Sequence, residues 1–302
     1  MPILKIIKSE TNIKFMKIKK ITLFLSLTLF LLSLGSIIFK GLNLGIDFTG
    51  GTLIEARFDK KINLNDLRIE MNKLDLGEIQ LQTIGNQNDV VIRVQEKQIS
   101  SEKQSEAIEI IKNSLKENSV EYRRTEYVGP KVGGELVNAG IIAVIFSLFG
   151  ILIYIWLRFQ WNFALGAIIA LIHDVILTLG FFSFLKLDFN LATVAAVLTI
   201  AGYSINDTVV IFDRVRENLR KYKKLELVDL FNLSVNNTLS RTIMTSLTTL
   251  LALVSLFIFG GEVIRPFALT MIIGVIIGTY SSVFIAVPTL LIFKFRPQDE
   301  DD

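Results

Sequence analysis

The sequence predicts a multi-pass α-helical membrane protein with one soluble α+β domain inserted between its first two membrane helices. Of the 302 residues, 51% are hydrophobic, which is too apolar for two water-soluble domains of ordinary composition. The charges are also unevenly distributed, since 14 of the 32 Lys and Arg and 16 of the 29 Asp and Glu lie between residues 40 and 135. Residues 137–212 contain only five charged side chains. The apolar regions are therefore expected to enter lipid, and the charged region is expected to fold in water.

Composition excludes several other classes of protein. The hydrophobic content excludes a disordered chain, and the absence of cysteine excludes both a disulfide scaffold and a metal site built on thiolates. A single histidine also excludes a site made from a cluster of histidines. We therefore expect no metal and no organic cofactor.

Six apolar stretches approach the roughly 20 residues that a helix needs to cross a hydrocarbon core of about 30 Å. We predict six transmembrane helices at residues 21–39, 137–157, 163–185, 189–212, 242–259 and 266–293, between tails at 1–20 and 294–302. The first is expected to be an uncleaved anchor, because no A-x-A-like cleavage site follows its apolar run. The last is longer than a membrane requires, so tilt or a kink near Pro288 is expected. Within it, Gly274 and Gly278 are expected mainly to pack inside the same bundle.

The basic residues predict an orientation, because Lys and Arg in short loops resist translocation. Six lysines precede the first span, and successive crossings place Arg158, residues 214–224 and the basic residues of the C-terminal tail on the same side. Both termini are therefore predicted to be cytoplasmic, with a cytoplasmic loop at about 213–241. Apolar residues within 226–237 predict a short helix lying on the cytoplasmic face. The domain at 40–136 is predicted to be external.

The external domain shows changes of hydrophobic period that predict the strand and helix order βαββαβ. Residues 54–58 alternate as a strand does, and Asn63 can cap a helix that follows. Residues 79–82 and 90–94 alternate on either side of a turn at 85–88, which predicts a hairpin. Ser101 and Gln104 form a capping box that opens a second helix, and residues 120–128 supply a last strand. This is the split order of ferredoxin-like domains, a fold that hosts many functions.

Asp207 is the first candidate functional residue, because it lies inside the fourth predicted span, roughly 8 Å of helix from its cytoplasmic end. An ionised carboxylate there costs on the order of 2.5–3.5 kcal/mol, so it should face the bundle interior, find a partner or take up a proton. It is therefore a candidate proton carrier, which needs only a water path and surroundings that differ between two states. The neighbouring Asn206 is a lower-ranked polar candidate.

Three further polar residues lie in or near the predicted spans. Arg241, at the start of the fifth span, is the nearest cationic candidate to pair with Asp207, and an inert salt bridge is the alternative. His173 and Asp174 lie near the middle of the third span, and adjacent residues on a helix point about 100° apart. His173 is of a type that changes charge near neutral pH, but a hydrogen-bonded strut between helices explains this pair equally well.

A glycine-rich element follows the first span, with the sequence Gly45-Ile46-Asp47-Phe48-Thr49-Gly50-Gly51-Thr52. An Asp beside paired glycines predicts a sharp turn that leads into a strand. Together with the rest of the chain, this element resembles the SecD/SecF family of protein-export membrane proteins, a branch of the resistance-nodulation-division transporters. Its Asp-Phe-Thr-Gly-Gly form is closer to the SecF side of that family.

The resemblance covers nearly the whole chain. It includes the six spans, the large first loop, the His173-Asp174 pair, the run 202–214 and the Ser240-Arg241-Thr242 element. It implies a subunit that works with SecD beside the SecYEG channel in the bacterial cytoplasmic (inner) membrane. That subunit would use the proton motive force to promote translocation of unfolded preproteins.

The resemblance further implies that Asp207 and Arg241 take part in proton conduction, with protons as the coupling ion. It also implies a separate SecD-like chain to complete the transport unit. No nucleotide-binding loop of the G-x-x-x-x-G-K-[ST] type is present in the sequence, so ATP used in export would be hydrolysed elsewhere.

Other functions stay open from the sequence alone. A small-molecule exporter of the same superfamily is one, although an insert of about 80 residues leaves little room for a drug-sized pocket. An intramembrane protease would use Asp174 and Asp207 as paired carboxylates, or Ser204 with His173 as a serine dyad. A passive scaffold would use the buried charges only to hold helices together. We expect a transporter rather than an enzyme.

Overall fold

The computed structural model describes residues 11–74, 76–83, 88–95, 101–116 and 120–293. In chain order the elements are a 3-10 turn (Phe15–Ile18), α1 (Lys19–Lys40), β1 (Asn43–Leu44), α2 (Ile46–Thr49), β2 (Gly51–Phe58), α3 (Leu64–Asn72), β3 (Glu78–Thr83), β4 (Asp89–Gln95), α4 (Ser101–Ser114), β5 (Val120–Val128), α5 (Pro130–Arg158), α6 (Trp161–Leu185), β6 (Asp188–Phe189), α7 (Leu191–Lys221), α8 (Leu227–Phe259), α9 (Gly261–Ser281), a π-helical turn (Ser282–Ala286) and α10 (Val287–Ile292).

Six helical segments among the described residues are long and apolar enough to cross a membrane, which confirms the predicted number. They are α1, α5, α6, α7, α8 and the continuous run from α9 through α10. The described residues divide into two compact units. One comprises the described parts of Met1–Asn43, Ala143–Asp188 and Ala192–Asp302, and the other comprises Leu44–Ile142 with Phe189–Leu191.

The predicted loop at about 213–241 is wrong in extent. Helix α7 continues to Lys221 and α8 begins at Leu227, so most of this segment is helical. The separate surface helix predicted over 226–237 is also wrong, because this segment is the first part of α8. Its apolar residues Leu230 and Phe231 are buried in the core of the helical unit. The predicted bounds were wrong because hydropathy marks only the part of a helix that lies in lipid. The part outside the membrane needs only one polar face and one buried face to be stable.

The last span contains the irregularity that was expected near Pro288. The π-helical turn Ser282–Ala286 precedes α10, and Pro288 lies in the first turn of α10. Proline has no amide hydrogen to donate to the residue four positions earlier, so the regular helical ladder is interrupted there. The expected packing of Gly274 and Gly278 inside the bundle is confirmed. A Cβ at 274 would overlap the side chain of Ile200, and one at 278 would lie 3.0 Å from the Cβ of Ser204.

The N-terminal segment is fastened to the first part of α8. Asn236 accepts a hydrogen bond from the amide of Ile13 (2.9 Å) and donates one to its carbonyl (2.8 Å). One turn earlier, Asn232 accepts from the amide of Met16 (2.9 Å). Phe15 and Met16 are buried in the same core. These contacts form a strap, residues 13–16, across the start of α8.

The second unit contains the predicted βαββαβ domain. Its four strands form an antiparallel sheet in the order β3-β4-β2-β5, which is the ferredoxin-like order. One face of the sheet packs on α3 and α4 through a buried apolar cluster. Asn63 caps α3 as predicted, because its side chain accepts from the amide of Asn65 (3.0 Å). The predicted hairpin turn lies largely outside the described residues, as do the side chains of the Ser101 capping box.

Burial raises the pKa of Tyr122 in this domain. Its ring belongs to the periphery of the buried apolar cluster, and its hydroxyl donates to the carbonyl of Lys112 (3.1 Å). Because a phenolate would lose that hydrogen bond and its hydration, the domain favours the neutral side chain.

Candidate functional site

The candidate site is a layer of polar side chains buried among the apolar helices α6, α7 and α9. Helix α7 builds its centre because its buried positions recur with helical spacing and include Ser204, Asp207 and Thr208. Asp207 is only 4% exposed, and its Oδ2 has no hydrogen-bond partner within the described residues. A buried carboxylate oxygen without a donor is unfavourable, and taking up a proton is the simplest way to remove the charge. The structure thus places Asp207 in the bundle interior, as expected.

Asp174 is the best-satisfied polar group of this layer. Its side chain is fully buried, and its Oδ2 accepts hydrogen bonds from Ser204 of α7 (2.5 Å) and Ser281 of α9 (2.6 Å). The Oδ1 atom lies 3.0 Å from Nδ1 of the adjacent His173. One carboxylate therefore joins three helices, which supports the interpretation of this pair as a hydrogen-bonded strut.

His173 supplies an open position beside this strut. Its side chain is 6% exposed, and its Nε2 has no hydrogen-bond partner among the described atoms. A carboxylate beside Nδ1 favours the tautomer in which that nitrogen carries hydrogen. The unpaired Nε2 would then be an acceptor, which a water molecule could satisfy.

A second contact joins α7 to the last span at Thr208, the residue that follows Asp207. Thr208 donates to Ser282 (3.1 Å), and Ser282 donates to the carbonyl of Gly278 (2.7 Å). Ser281 is the last residue of α9 and Ser282 is the first of the π-helical turn, so both contacts come from the point where the last span becomes irregular. Sequence reasoning missed the roles of Ser281, Ser282 and Thr208. The available signal was a pair of serines within an apolar span a few residues before a proline.

Arg241 and Asn206 lie differently from the residues of the buried layer. Arg241 is exposed, and among the described residues no ion pair links it to Asp207. Its charge is nevertheless close enough to attract the Asp207 carboxylate through space. Asn206 is exposed on the outer face of α7. The predicted direct pairing of Arg241 with Asp207 is therefore absent from this conformation.

The glycine-rich element forms a second functional feature, located at the start of α7. Asp47 accepts a hydrogen bond from the amide of Leu191 (2.8 Å), the first residue of α7. The ring of Phe48 stacks on Phe189 with centroids 5.9 Å apart, and the amide of Gly45 donates to the carbonyl of Phe189 (2.8 Å). A carboxylate at a helix N-terminus satisfies a free amide and interacts favourably with the helix dipole. The element therefore caps the helix that carries Asp207.

The paired glycines make this cap possible. Gly50 and Gly51 have φ values of 72° and 117°, which residues with a Cβ rarely adopt. They turn the chain from α2 directly into β2, as the sequence predicted. Gly133 of α5 also packs closely, since a Cβ there would lie 3.1 Å from the carbonyl oxygen of Phe48.

The geometry also bears on the enzymatic alternatives. A serine dyad would need Ser204 to donate to His173, but Ser204 donates to Asp174 instead. A carboxylate dyad would need Asp174 and Asp207 to share a proton, and no hydrogen bond joins them among the described residues. Within the same residues, no group of three or more His, Cys, Asp or Glu could hold a metal ion.

Comparison with known proteins identifies the family. Residues 107–296 match the family model for the C-terminal part of the protein export membrane proteins SecD/SecF, and residues 35–62 match the SecD/SecF GG motif. The chain is 49% identical to the protein translocase subunits SecF of Rickettsia rickettsii and Rickettsia felis over 97% of its length and 96% of theirs.

Solved structures give the same result. The chain matches the crystal structure of SecDF, a translocon-associated membrane protein from Thermus thermophilus, with a TM-score of 0.86 and 36% identity. The match covers 95% of this chain but 39% of the SecDF chain. A second SecDF structure, in a super-membrane-facing form, matches with a TM-score of 0.69 and 35% identity. A multi-pass chain with these motifs, this fold and these relatives belongs to the SecD/SecF family of protein export membrane proteins, on its SecF side.

Proposed function

We propose that this chain is a translocase subunit that uses the proton motive force, together with a SecD-type partner beside a SecYEG channel, to promote translocation of unfolded preproteins. Both termini lie in the bacterial cytoplasm, and the ferredoxin-like domain lies outside. The family membership supports the translocase role. The basic residues at one end of the bundle support the orientation.

The observation that carries the proton-coupling part is the position of Asp207. It is a buried carboxylate in a membrane helix, with one oxygen unpartnered among the described residues and the positive charge of Arg241 nearby. When the carboxylate is ionised, it attracts Arg241. When it is protonated, that attraction disappears, so each proton that binds changes the force between α7 and α8.

The energy of one proton is sufficient for a conformational bias. A charge that crosses 100 mV releases about 2.3 kcal/mol, which shifts a two-state equilibrium roughly fiftyfold. The hydroxyls of Ser204 and Ser281 both donate to Asp174, so the polar layer fastens α7 through hydrogen bonds beside Asp207. A change at Asp207 thus acts on a helix that is fastened on either side of it.

The cap at the start of α7 supports a mechanical role for the glycine-rich element. Asp47 and Leu191 belong to the same unit as the ferredoxin-like sheet, and α7 continues from Leu191 to Asp207 and beyond. A displacement of α7 along or about its axis would therefore act directly on the segment that leads into β2. Through this connection, proton binding moves the external domain and the polypeptide that the domain contacts.

The outer face of α7 supports the requirement for a second chain. Its exposed residues recur at helical spacing and are small or polar, namely Ala195, Thr199, Gly202 and Asn206. Nothing lies within 4 Å of a Cβ built on Gly202. Small residues allow a neighbouring membrane helix to approach closely. The matched SecDF chain is also much longer than this one, since the match covers only 39% of it. A SecD-type half-unit is the partner that this face accommodates.

The test is the substitution Asp207→Asn, which preserves side-chain shape but cannot exchange a proton. We expect the variant to accumulate and to co-purify with its SecD-type partner, and to lose the proton-dependent stimulation of preprotein translocation in membrane vesicles. Asp229→Asn is the matched control, because it removes an exposed carboxylate from the first turn of α8. Translocation with this control should match the wild type.

Two outcomes would contradict the proposal. Full stimulation by the Asp207→Asn variant would exclude Asp207 as the proton carrier. Failure of the variant to assemble with its partner, with an unaltered Asp229→Asn control, would favour a scaffold role for the buried charge.

A further inference from the structure

An open surface cavity of about 450 Å³ lies along one face of α7, near its C-terminal end, and the proposed function does not use it. Its lining residues are Asp213, Arg216, Glu217, Arg220 and Lys221. Their spacing places them on successive turns of a single helix face. The cavity adjoins the turn between α5 and α6, because Arg216 donates to the carbonyl of Arg158 at the end of α5 (3.2 Å).

The acidic residues of this cavity are already paired. Arg158 contacts Asp213 with an N–O distance of 3.0 Å, and Arg214 contacts Glu217 at 2.7 Å. Neither Arg158 nor Arg214 lines the cavity. The two carboxylates therefore contribute little net negative potential, since each has a guanidinium beside it.

The basic residues of the cavity, in contrast, leave positive charge available. Arg216 is held in place by the carbonyl of Arg158, and its guanidinium lies 5.5 Å from the ring centre of Phe159. Arg220 and Lys221 are exposed, and no carboxylate pairs with them among the described residues. Lys221 Nζ lies 5.2 Å from the ring centre of Tyr222. One preorganised guanidinium and two cations without a carboxylate partner among the described residues thus line the same cavity, an arrangement suited to a phosphate group.

Aromatic residues near the cavity indicate its depth in the membrane. The two tryptophans of the chain, Trp156 and Trp161, flank the adjoining turn and are 66% and 64% exposed. Tryptophan favours the boundary between hydrocarbon and headgroups in a membrane protein. Leu157 between them is 81% exposed, so an apolar surface for acyl chains lies beside the basic face.

We propose that this cavity binds the headgroup of an anionic phospholipid. The phosphodiester is held by Arg216, Arg220 and Lys221, and the acyl chains run along the exposed end of α5. A basic pocket at headgroup depth is a recurrent way for membrane proteins to recognise anionic lipids. A free phosphate ion shares the charge chemistry but makes no use of the adjoining apolar surface.

The tryptophans provide a local probe for the test. The full chain is reconstituted in bilayers that contain phosphatidylglycerol or phosphatidylcholine with brominated acyl chains, which quench nearby indole fluorescence. We expect phosphatidylglycerol to quench more strongly than phosphatidylcholine at equal mole fraction. The double variant Arg220→Gln/Lys221→Gln should lower this preference about thirtyfold, because each of the two lost basic contacts at a membrane surface is worth about fivefold.

The matched control is Lys223→Gln/Lys224→Gln, which removes the same charge from exposed residues that do not line the cavity. Its preference should stay close to that of the wild type. Quenching by brominated phosphatidylcholine should be equal in all variants, which verifies insertion, and the single variant Arg220→Gln replaces any double variant that fails this criterion.

Three results would overturn the proposal. Equal losses in the cavity variant and the control would indicate diffuse surface charge. No preference for phosphatidylglycerol in the wild type would exclude an anionic-lipid site. Loss of the preference on adding inorganic phosphate, but not chloride of equal ionic strength, would assign the cavity to a soluble phosphate.

Discussion

Substitution of Gly274 by alanine tests the packing of α9 against the helix that carries Asp207. A Cβ at position 274 would overlap three atoms of the Ile200 side chain, and Ile200 is only 1% exposed. Ile200 belongs to a buried cluster with Ala196, Leu253 and other residues, so it has little freedom to move away. The added methyl group must therefore displace α9 or force Ile200 out of its preferred rotamer.

The magnitude follows from two opposing effects. Overpacking of a buried site costs about 1–3 kcal/mol. Replacing a glycine in a helix interior by alanine returns about 1 kcal/mol of helix propensity. We therefore expect Gly274→Ala to lower the free energy of unfolding by up to about 2 kcal/mol. Gly150→Ala is the matched control, because nothing lies within 4 Å of a Cβ built at this position. This variant should be as stable as the wild type or more stable.

A double-mutant cycle isolates the contact itself. Ile200→Ala alone should cost about 2–5 kcal/mol because it leaves a cavity. Combined with Gly274→Ala, the new methyl group enters that cavity, so the double variant should be more stable than Ile200→Ala alone. The expected coupling is about 1–3 kcal/mol, within the range for residues in direct contact.

The assay is equilibrium unfolding of the purified full chain in mixed micelles, followed by circular dichroism. Additive effects in the cycle would refute the packing argument. It would equally be refuted if Gly274→Ala stabilised the chain as much as Gly150→Ala does.

Three further predictions test the strut, the strap and the cap. Asp174→Ala should lower the thermal midpoint more than Ser204→Ala. It removes three hydrogen-bonding contacts, each worth about 1–3 kcal/mol, whereas Ser204→Ala removes one. Equal shifts in the two variants would argue against the strut. Asn236→Ala should release the strap and speed amide exchange at residues 13–16, and unchanged exchange relative to the exposed-site control Asn237→Ala would contradict this. Asp47→Ala should lower the free energy of unfolding by about 0.5–2 kcal/mol through loss of the cap on α7, and Asp47→Asn should recover part of that loss. Thermal unfolding measures both effects. An Asp47→Ala variant as stable as the wild type would exclude the cap.

Much of the candidate site was accessible from the sequence, because lipid makes a buried charge expensive. Asp207 and Asp174 stand out in apolar spans without any structural information. The sequence did not predict which of the two carboxylates joins several helices through hydrogen bonds. Asp174 draws its donors from Ser204 and Ser281, which lie on two other helices at sequence separations that no local pattern connects.

The glycine-rich element illustrates the same division. Its composition predicted a tight turn into a strand, since paired glycines permit positive φ angles. Its second role, the capping of α7 by Asp47, joins residues that are 144 positions apart. Only the tertiary structure shows that Asp47 contacts the first residue of α7.

The sequence by itself determined the number of spans, the soluble insert with its strand order, and the residues that lipid should have excluded. These features follow from hydropathy and periodicity, which act over a few turns or one strand. The tertiary structure decided that α7 and α8 extend beyond the apolar core, that the Asp174 carboxylate joins three helices, and that Arg216 of the basic face on α7 contacts the end of α5. Those features depend on which distant helices meet, and packing settles that through shape and hydrogen-bond pairing.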